Sequence, residues 1–169
     1  SREADSETLF VATRGERVDG HDYIISALDG GCRCVLCEYV PSGIAGRRAA
    51  FVTVENSFDA FALVAKGYRK NRPIKTVAIT GSVGKTTTKE LCASILQRAT
   101  NLYATSGNFN SVIGMPMSLM EAPEDRDTAV FEMGMSMQGE IRRMTEAATP
   151  DIAMVVNVGS SHLEYLKTR

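Results

Sequence analysis

The spacing of apolar and polar positions changes character near the middle of the chain. Thr8 to Thr13 is a short β-type run, and a polar turn from Arg14 to His21 follows it. Asp22 to Leu28 reads as a helix stopped by Gly30 and Gly31. Cys34 to Glu38 and Ala50 to Val54 read as strands separated by a loop rich in Gly, Pro and Arg. From Asn56 onward, Phe58, Phe61, Ala62, Ala65 and Tyr68 recur at helical spacing, which predicts an amphipathic helix with one buried face. That helix runs into the basic, Pro-terminated segment Arg69 to Pro73, which marks the expected boundary between a first domain over 1–72 and a second over 73–169.

Past the boundary the order becomes strand, loop, helix, repeated. Thr76 to Thr80, Asn101 to Ala104, Thr128 to Glu132 and Ile152 to Val156 are strand-like, while Lys85 to Arg98 and Gly139 to Ala148 are helical. Apolar strands alternating with helices predict a parallel sheet covered on both faces. The expected class is α/β: a small α/β amino-terminal domain, then part of a phosphate-loop parallel-sheet domain. Ligands of such sheets sit beyond the carboxyl ends of the strands.

A chain of 169 residues can bury roughly 70% of its unfolded surface if it folds as one domain, so a real core is available. The 19 Lys plus Arg against 20 Asp plus Glu give a net charge of -1 with no long block of either sign, which argues against nucleic acid as the main partner. No apolar run approaches the ~20 residues of a membrane span, and Ser1 to Phe10 lacks the regions of a secretory signal, so a cytoplasmic location is expected. Of Cys32, Cys34, Cys37 and Cys92, the Cys34/Cys37 pair has the spacing of half a zinc site or a redox pair, but no second pair follows. The expectation is that they serve as small buried residues of a strand. Because the chain starts at Ser1 without an initiator methionine and stops soon after its last motif, it reads as a piece of something longer.

The chemistry concentrates at strand ends. Gly81-Ser82-Val83-Gly84-Lys85-Thr86-Thr87 lies between a strand and a helix, the context a phosphate loop requires. Gly81 and Gly84 allow the tight turn that aims backbone N–H groups at a polyphosphate; Lys85 adds a point charge, and the Thr86 hydroxyl can ligate magnesium. The common loop would place glycine at position 79, where Ile79 stands, so this is a shorter Gly-x-x-Gly-Lys-Thr variant. Glu132 ends an apolar strand on the same rim, as a metal-holding carboxylate or as a solvated strand end. Asn157 and His162 follow another strand on that edge. Asn108 and Asn110, in the polar Gly107-Asn-Phe-Asn110 segment, are either substrate-binding amides or turn formers. Met115, Met117 and Met120 read as packing.

In order, the Thr80 to Thr87 loop, Gly107 to Asn110, Glu132 to Gly134, Gly139 to Ile141, and Asn157 through His162 to Glu164 resemble the central domain of the Mur ligases, enzymes that extend peptidoglycan precursors by ATP-dependent amide formation. Leu9 to Glu16 and Asp19 to Tyr23 resemble the domain that holds the UDP end of the substrate in two members, those adding the third amino acid and D-alanyl-D-alanine. The Gly107 to Gly114 string and the Gly-Glu-Ile sequence resemble the latter. The resemblance implies ATP on Gly81 to Thr87 and magnesium on Thr86, with a second magnesium on Glu132 and His162. It also implies Ser1 and Arg2 near the uridine, with UDP-N-acetylmuramoyl-tripeptide and D-alanyl-D-alanine as substrates. The catalytic set so implied is Lys85, Glu132 and His162. Two readings compete: the ligase for the third amino acid, and a non-catalytic fragment that binds nucleotide or UDP-sugar. Family members continue to a carbamylated lysine and a third domain beyond the last motif of this chain, so the expectation is an incomplete ligase, inactive alone.

Overall fold

A computed structural model describes residues 4–15, 18–44, 46–106 and 109–159. The chain divides into two compact units, 1–61 and 62–169, with the division inside a helix.

In the first unit, β1 (Leu9–Val11), β2 (Cys34–Cys37) and β3 (Ala50–Thr53) form a parallel sheet in that order. A 3-10 turn at Gly20–Tyr23 leads into α1 (Ile24–Asp29), so the predicted Asp22 to Leu28 helix is present but begins as the tighter turn. Ile24, Ala27 and Leu28 of α1 pack with Ala12, Cys32, Val35 and Cys37 in one core. His21 is the buried polar centre of this unit. Its Nδ1 lies 2.6 Å from Asp19 Oδ1, its Nε2 accepts the Glu38 N–H at 2.9 Å, and its ring stacks on Tyr39 at 4.3 Å. A backbone donor on Nε2 places the ring proton on Nδ1, the neutral tautomer that donates to Asp19. The Asp19 carboxylate, which accepts the His21 backbone N–H and the ring N–H, is held down at about 2.

All four cysteines are free thiols, but only Cys37 is a buried strand residue as expected: Cys32 is buried just before β2, Cys34 is half-buried on it, and Cys92 is half-buried in the helix Lys85–Leu96. Cys34 and Cys37 are three apart on β2, an odd separation that sends their side chains to opposite faces. They do not share an ion. Burial pushes the Cys37 thiol up.

The dividing helix is α2 (Ser57–Lys70), capped by the Asn56 side chain, which accepts the Asp59 N–H at 3.0 Å. Ala62 and Ala65 on its apolar stripe join the core of the second unit. There β4 (Lys75–Thr80), β5 (Leu102–Ala104), β6 (Thr128–Glu132) and β7 (Ile152–Val155) form a parallel sheet in the order β5-β6-β4-β7. The helices are α3 (Lys85–Leu96), α4 (Gly114–Glu121) and α5 (Glu140–Ala148). Every residue of β6 is buried, whereas all four of β7 are exposed. Met115 and Leu119 of α4 and Met144, Ala147 and Ala148 of α5 close on Ala129 and Phe131 of β6.

Helix α4 is absent from the sequence reading, which takes its first residues as loop. Gly114 and Pro116 look like breakers, yet both fall in the first turn of the helix, where a proline removes an N–H that has no intrahelical partner anyway. Of the three methionines expected to pack, Met115 is fully buried and Met120 lies partly buried against the core, whereas Met117 is exposed. Among the described residues no helix is long and apolar enough to cross a membrane.

Candidate phosphate-loop site

The strand order sets the site. Strand β4 lies between β6 and β7, so the loop after it emerges at the point where the sheet's connections run to opposite sides, the position where parallel α/β sheets open a crevice. Ile79 pairs with Glu132 on one neighbour and Met154 on the other, which puts the ends of all three strands at one level. The missing first glycine of the common loop is thereby explained: position 79 is still strand, fully buried, and a side chain is needed there.

The loop itself is two residues between two glycines. Gly81 has φ +148 and a Cβ there would lie 3.1 Å from both Asn157 N and Val156 Cβ. Gly84 has φ +85 and caps α3 in the left-handed conformation. Lys85 folds back so that Nζ donates to Gly81 O at 2.8 Å. The first turn of α3 presents backbone N–H groups that its own helix does not engage, with the positive end of the helix dipole behind them.

Two side chains from elsewhere converge on the loop. Thr86 Oγ1 donates to Glu132 Oε2 at 2.8 Å, and Asn110 Nδ2 donates to Glu132 Oε1 at 2.9 Å. Asn110 is fixed in turn, because its carbonyl accepts the Gly134 N–H at 2.7 Å. Glu132 is 4% exposed, and among the described residues its partners, Thr86 and Asn110, are both neutral. From the other flank, Asn157 Oδ1 accepts the N–H groups of Ser82 and Val83, each at 3.1 Å. Lys85 lines both adjoining clefts: one of about 120 Å³ with Gly81, Ile141 and Asn157, the other of about 260 Å³ with Asn110, Ser136 and Glu140.

Of the residues singled out in the sequence, the structure brings together Gly81, Ser82, Val83, Gly84, Lys85, Thr86, Thr87, Asn110 and Glu132. Ser1, Arg2, Asn108 and His162 lie outside the described residues. The amide of Asn110, expected to face substrate or to shape a turn, is spent on Glu132.

Two residues to which the sequence assigns no role matter to the geometry. Lys89, 3% exposed, donates to Thr105 O at 2.7 Å and pairs with Glu90 at 2.8 Å. It sits one helical turn beyond Lys85 and ties α3 to the residue after β5. Glu140 accepts the N–H groups of Ser136 and Met137 at 2.6 and 2.9 Å, closing the loop before α5. Its signal was available: an acidic residue in the first turn of a helix that follows a glycine.

A parallel α/β sheet with a glycine-bounded loop at its switch point, and a buried carboxylate facing the Thr of that loop, defines a phosphate-loop domain. The Mur ligase middle domain matches residues 79–169. This chain therefore belongs to the Mur ligase family. Among its relatives, the UDP-N-acetylmuramoyl-tripeptide--D-alanyl-D-alanine ligase of Synechocystis is 39% identical over 166 residues, 98% of this chain and 36% of that protein. The Bacillus subtilis ligase of the same description is 36% identical, over 100% of this chain and 37% of its own length. The crystal structure of MurF ligase from Thermotoga maritima in complex with ADP superposes with a TM-score of 0.85 at 36% identity, covering 98% of this chain and 38% of that one. The chain thus spans little more than a third of the length of the relatives it matches.

Proposed function

We propose that this sequence forms the precursor-binding and phosphate-loop portion of an ATP-dependent ligase that adds D-alanyl-D-alanine to UDP-N-acetylmuramoyl-tripeptide in peptidoglycan synthesis, in the cytoplasm. The observation that carries it is the Thr86–Glu132 contact of 2.8 Å, which joins a phosphate loop to a buried strand-end carboxylate on one rim. The relatives' descriptions supply the substrates.

In this reading residues 1–72 hold the UDP end, with Ser1 and Arg2 near the uridine, and residues 73–169 hold ATP. Gly81 to Thr87 wrap the polyphosphate and Lys85 swings from Gly81 O onto the outer phosphates. The Thr86 hydroxyl and the Glu132 carboxylate are oxygen donors of the kind magnesium selects, and a buried carboxylate with two neutral partners has negative charge left for a cation. The family resemblance adds His162 to this donor set. Magnesium at these oxygens would screen the charge of the phosphates. The substrate carboxylate attacks the γ-phosphorus, releasing ADP and forming an acyl phosphate; the D-alanyl-D-alanine amine then attacks the acyl carbon, and phosphate leaves with formation of the amide. The chain's own contribution is positioning and charge compensation, which dominate phosphoryl transfer.

The test is a segment exchange in which this sequence replaces the matching third of the Bacillus subtilis relative. ADP release that requires both UDP-N-acetylmuramoyl-tripeptide and D-alanyl-D-alanine is expected. Release supported instead by UDP-N-acetylmuramoyl-dipeptide and a single amino acid would assign the sequence to the ligase for the third residue.

A further inference from the structure

The two-residue loop poses a question of support. Ser82 and Val83 carry the only backbone between the two glycines, and neither residue lies in a strand or helix that would fix it. The structure supplies the support from the segment after β7. Asn157 makes four hydrogen bonds to these two residues: Oδ1 accepts Ser82 N–H and Val83 N–H at 3.1 Å each, Nδ2 donates to Val83 O at 2.8 Å, and the Asn157 carbonyl accepts Ser82 N–H at 3.3 Å. Ser82 Oγ is held by Gly159, accepting its N–H at 2.9 Å and lying 3.2 Å from its carbonyl. Gly81 must lack a side chain because this segment passes so close.

From this we infer that Asn157 is a positioning residue that buttresses the shortened loop and divides its backbone donors into two sets. The N–H groups of Ser82 and Val83 belong to Asn157, with the nucleotide bound or not. The phosphates are met by the N–H groups from Gly84 through the first turn of α3, together with Lys85. An amide suits this task because it offers an acceptor to two N–H groups and a donor to a carbonyl without adding negative charge beside a polyphosphate. The inference rests on the phosphate-loop reading, and it goes further by stating which loop amides do not contact phosphate.

Amide hydrogen exchange read by NMR on the whole chain, free and saturated with magnesium-ADP, tests it beside Asn157→Ala and Asn157→Asp. Protected Ser82 and Val83 amides are expected in the native chain in both states. Asn157→Ala should lose that protection and bind magnesium-ADP about five- to tenfold more weakly while remaining folded by far-ultraviolet circular dichroism, as the loss of a few exposed hydrogen bonds to the loop predicts. Asn157→Asp keeps the acceptor and should keep the protection. Equal or tighter magnesium-ADP binding by Asn157→Ala would overturn the inference, since Asn157 would then be a competitor for the phosphate donors. A native chain with protected Ser82 and Val83 amides but no binding of magnesium-ADP would instead contradict the phosphate-loop reading, and the division of donors with it.

Discussion

Thr86 and Glu132 are 46 residues apart in sequence, and their side chains meet at 2.8 Å on the carboxyl rim of the sheet. The contact joins the hydroxyl that directly follows the loop lysine to a buried carboxylate whose hydrogen-bond partners among the described residues are both neutral. Glu132→Gln keeps the shape and removes the charge. Magnesium-dependent nucleotide affinity should fall by about tenfold or more, equivalent to about 1.4 kcal/mol, while affinity measured in excess chelator should not change. Parallel titrations with magnesium and with EDTA check this.

Asn110 orients that carboxylate through the 2.9 Å bond to Oε1. Asn110→Ala should weaken magnesium-nucleotide binding less than Glu132→Gln does, because the charge remains and only its orientation is freed. Combining the two substitutions should cost little more than Glu132→Gln alone, since residues in one hydrogen-bonded network are not additive. A double-mutant cycle on the same titration measures it.

How much of this was legible in the sequence depends on distance along the chain. The Gly81 to Thr87 loop declared itself because strand, glycines, lysine and helix are contiguous, and Glu132 declared itself as the polar end of an apolar strand. The partnership of Asn110 with Glu132 and of Asn157 with Ser82 has no local signature; both depend on which strands become neighbours. Lys89 was missed because a lysine within a helix ordinarily points to water, and only the packing of α3 on β5 and β6 buries it. Helix α4 was missed because Gly114 and Pro116 break a helix interior yet suit its first turn. The short loop, by contrast, looked anomalous in sequence and is ordinary in structure, since Ile79 is simply the last buried pair of β4.

Burial makes Lys89 a stability determinant. Lys89→Met retains most of the side-chain volume but leaves the buried Thr105 carbonyl without its 2.7 Å donor. The expected loss is about 1–3 kcal/mol, the range for an unsatisfied buried acceptor. Urea unfolding followed by circular dichroism checks it, with nucleotide affinity of the folded protein as the control.

The acid side of the stability profile follows from Asp19 and Asp151. The Asp19 carboxyl is lowered to about 2, chiefly by the His21 backbone N–H and then by the His21 ring. Asp151 is lowered by the Thr76 backbone N–H, then by Lys75 and Arg69. A depressed folded-state value means that the stabilisation is complete above the unfolded value near 3.8 and is lost as pH falls toward the folded one. Melting temperatures of the native chain and of Asp19→Asn should therefore differ by a constant amount above about pH 5 and converge between about pH 4 and pH 2. Convergence that begins near neutrality would point to a different titrating group.

Gly81 tests the loop backbone directly. Gly81→Ala places a methyl group 3.1 Å from Asn157 N at φ +148, a conformation that side chains rarely adopt. The strain should cost about 1–3 kcal/mol and should abolish nucleotide binding even where the sheet remains folded, as judged by far-ultraviolet circular dichroism. Gly67, whose Cβ position meets nothing nearby, is the matched control.

Calorimetric titration of the 169-residue chain with magnesium-ADP, beside Lys85→Ala, asks whether the loop from Gly81 to Thr87 holds the nucleotide. Saturable one-site binding by the native chain and its loss in the variant are expected, with the two proteins melting alike. Binding that survives Lys85→Ala unchanged would contradict the phosphate-loop reading, because the nucleotide would then lie somewhere other than the loop from Gly81 to Thr87.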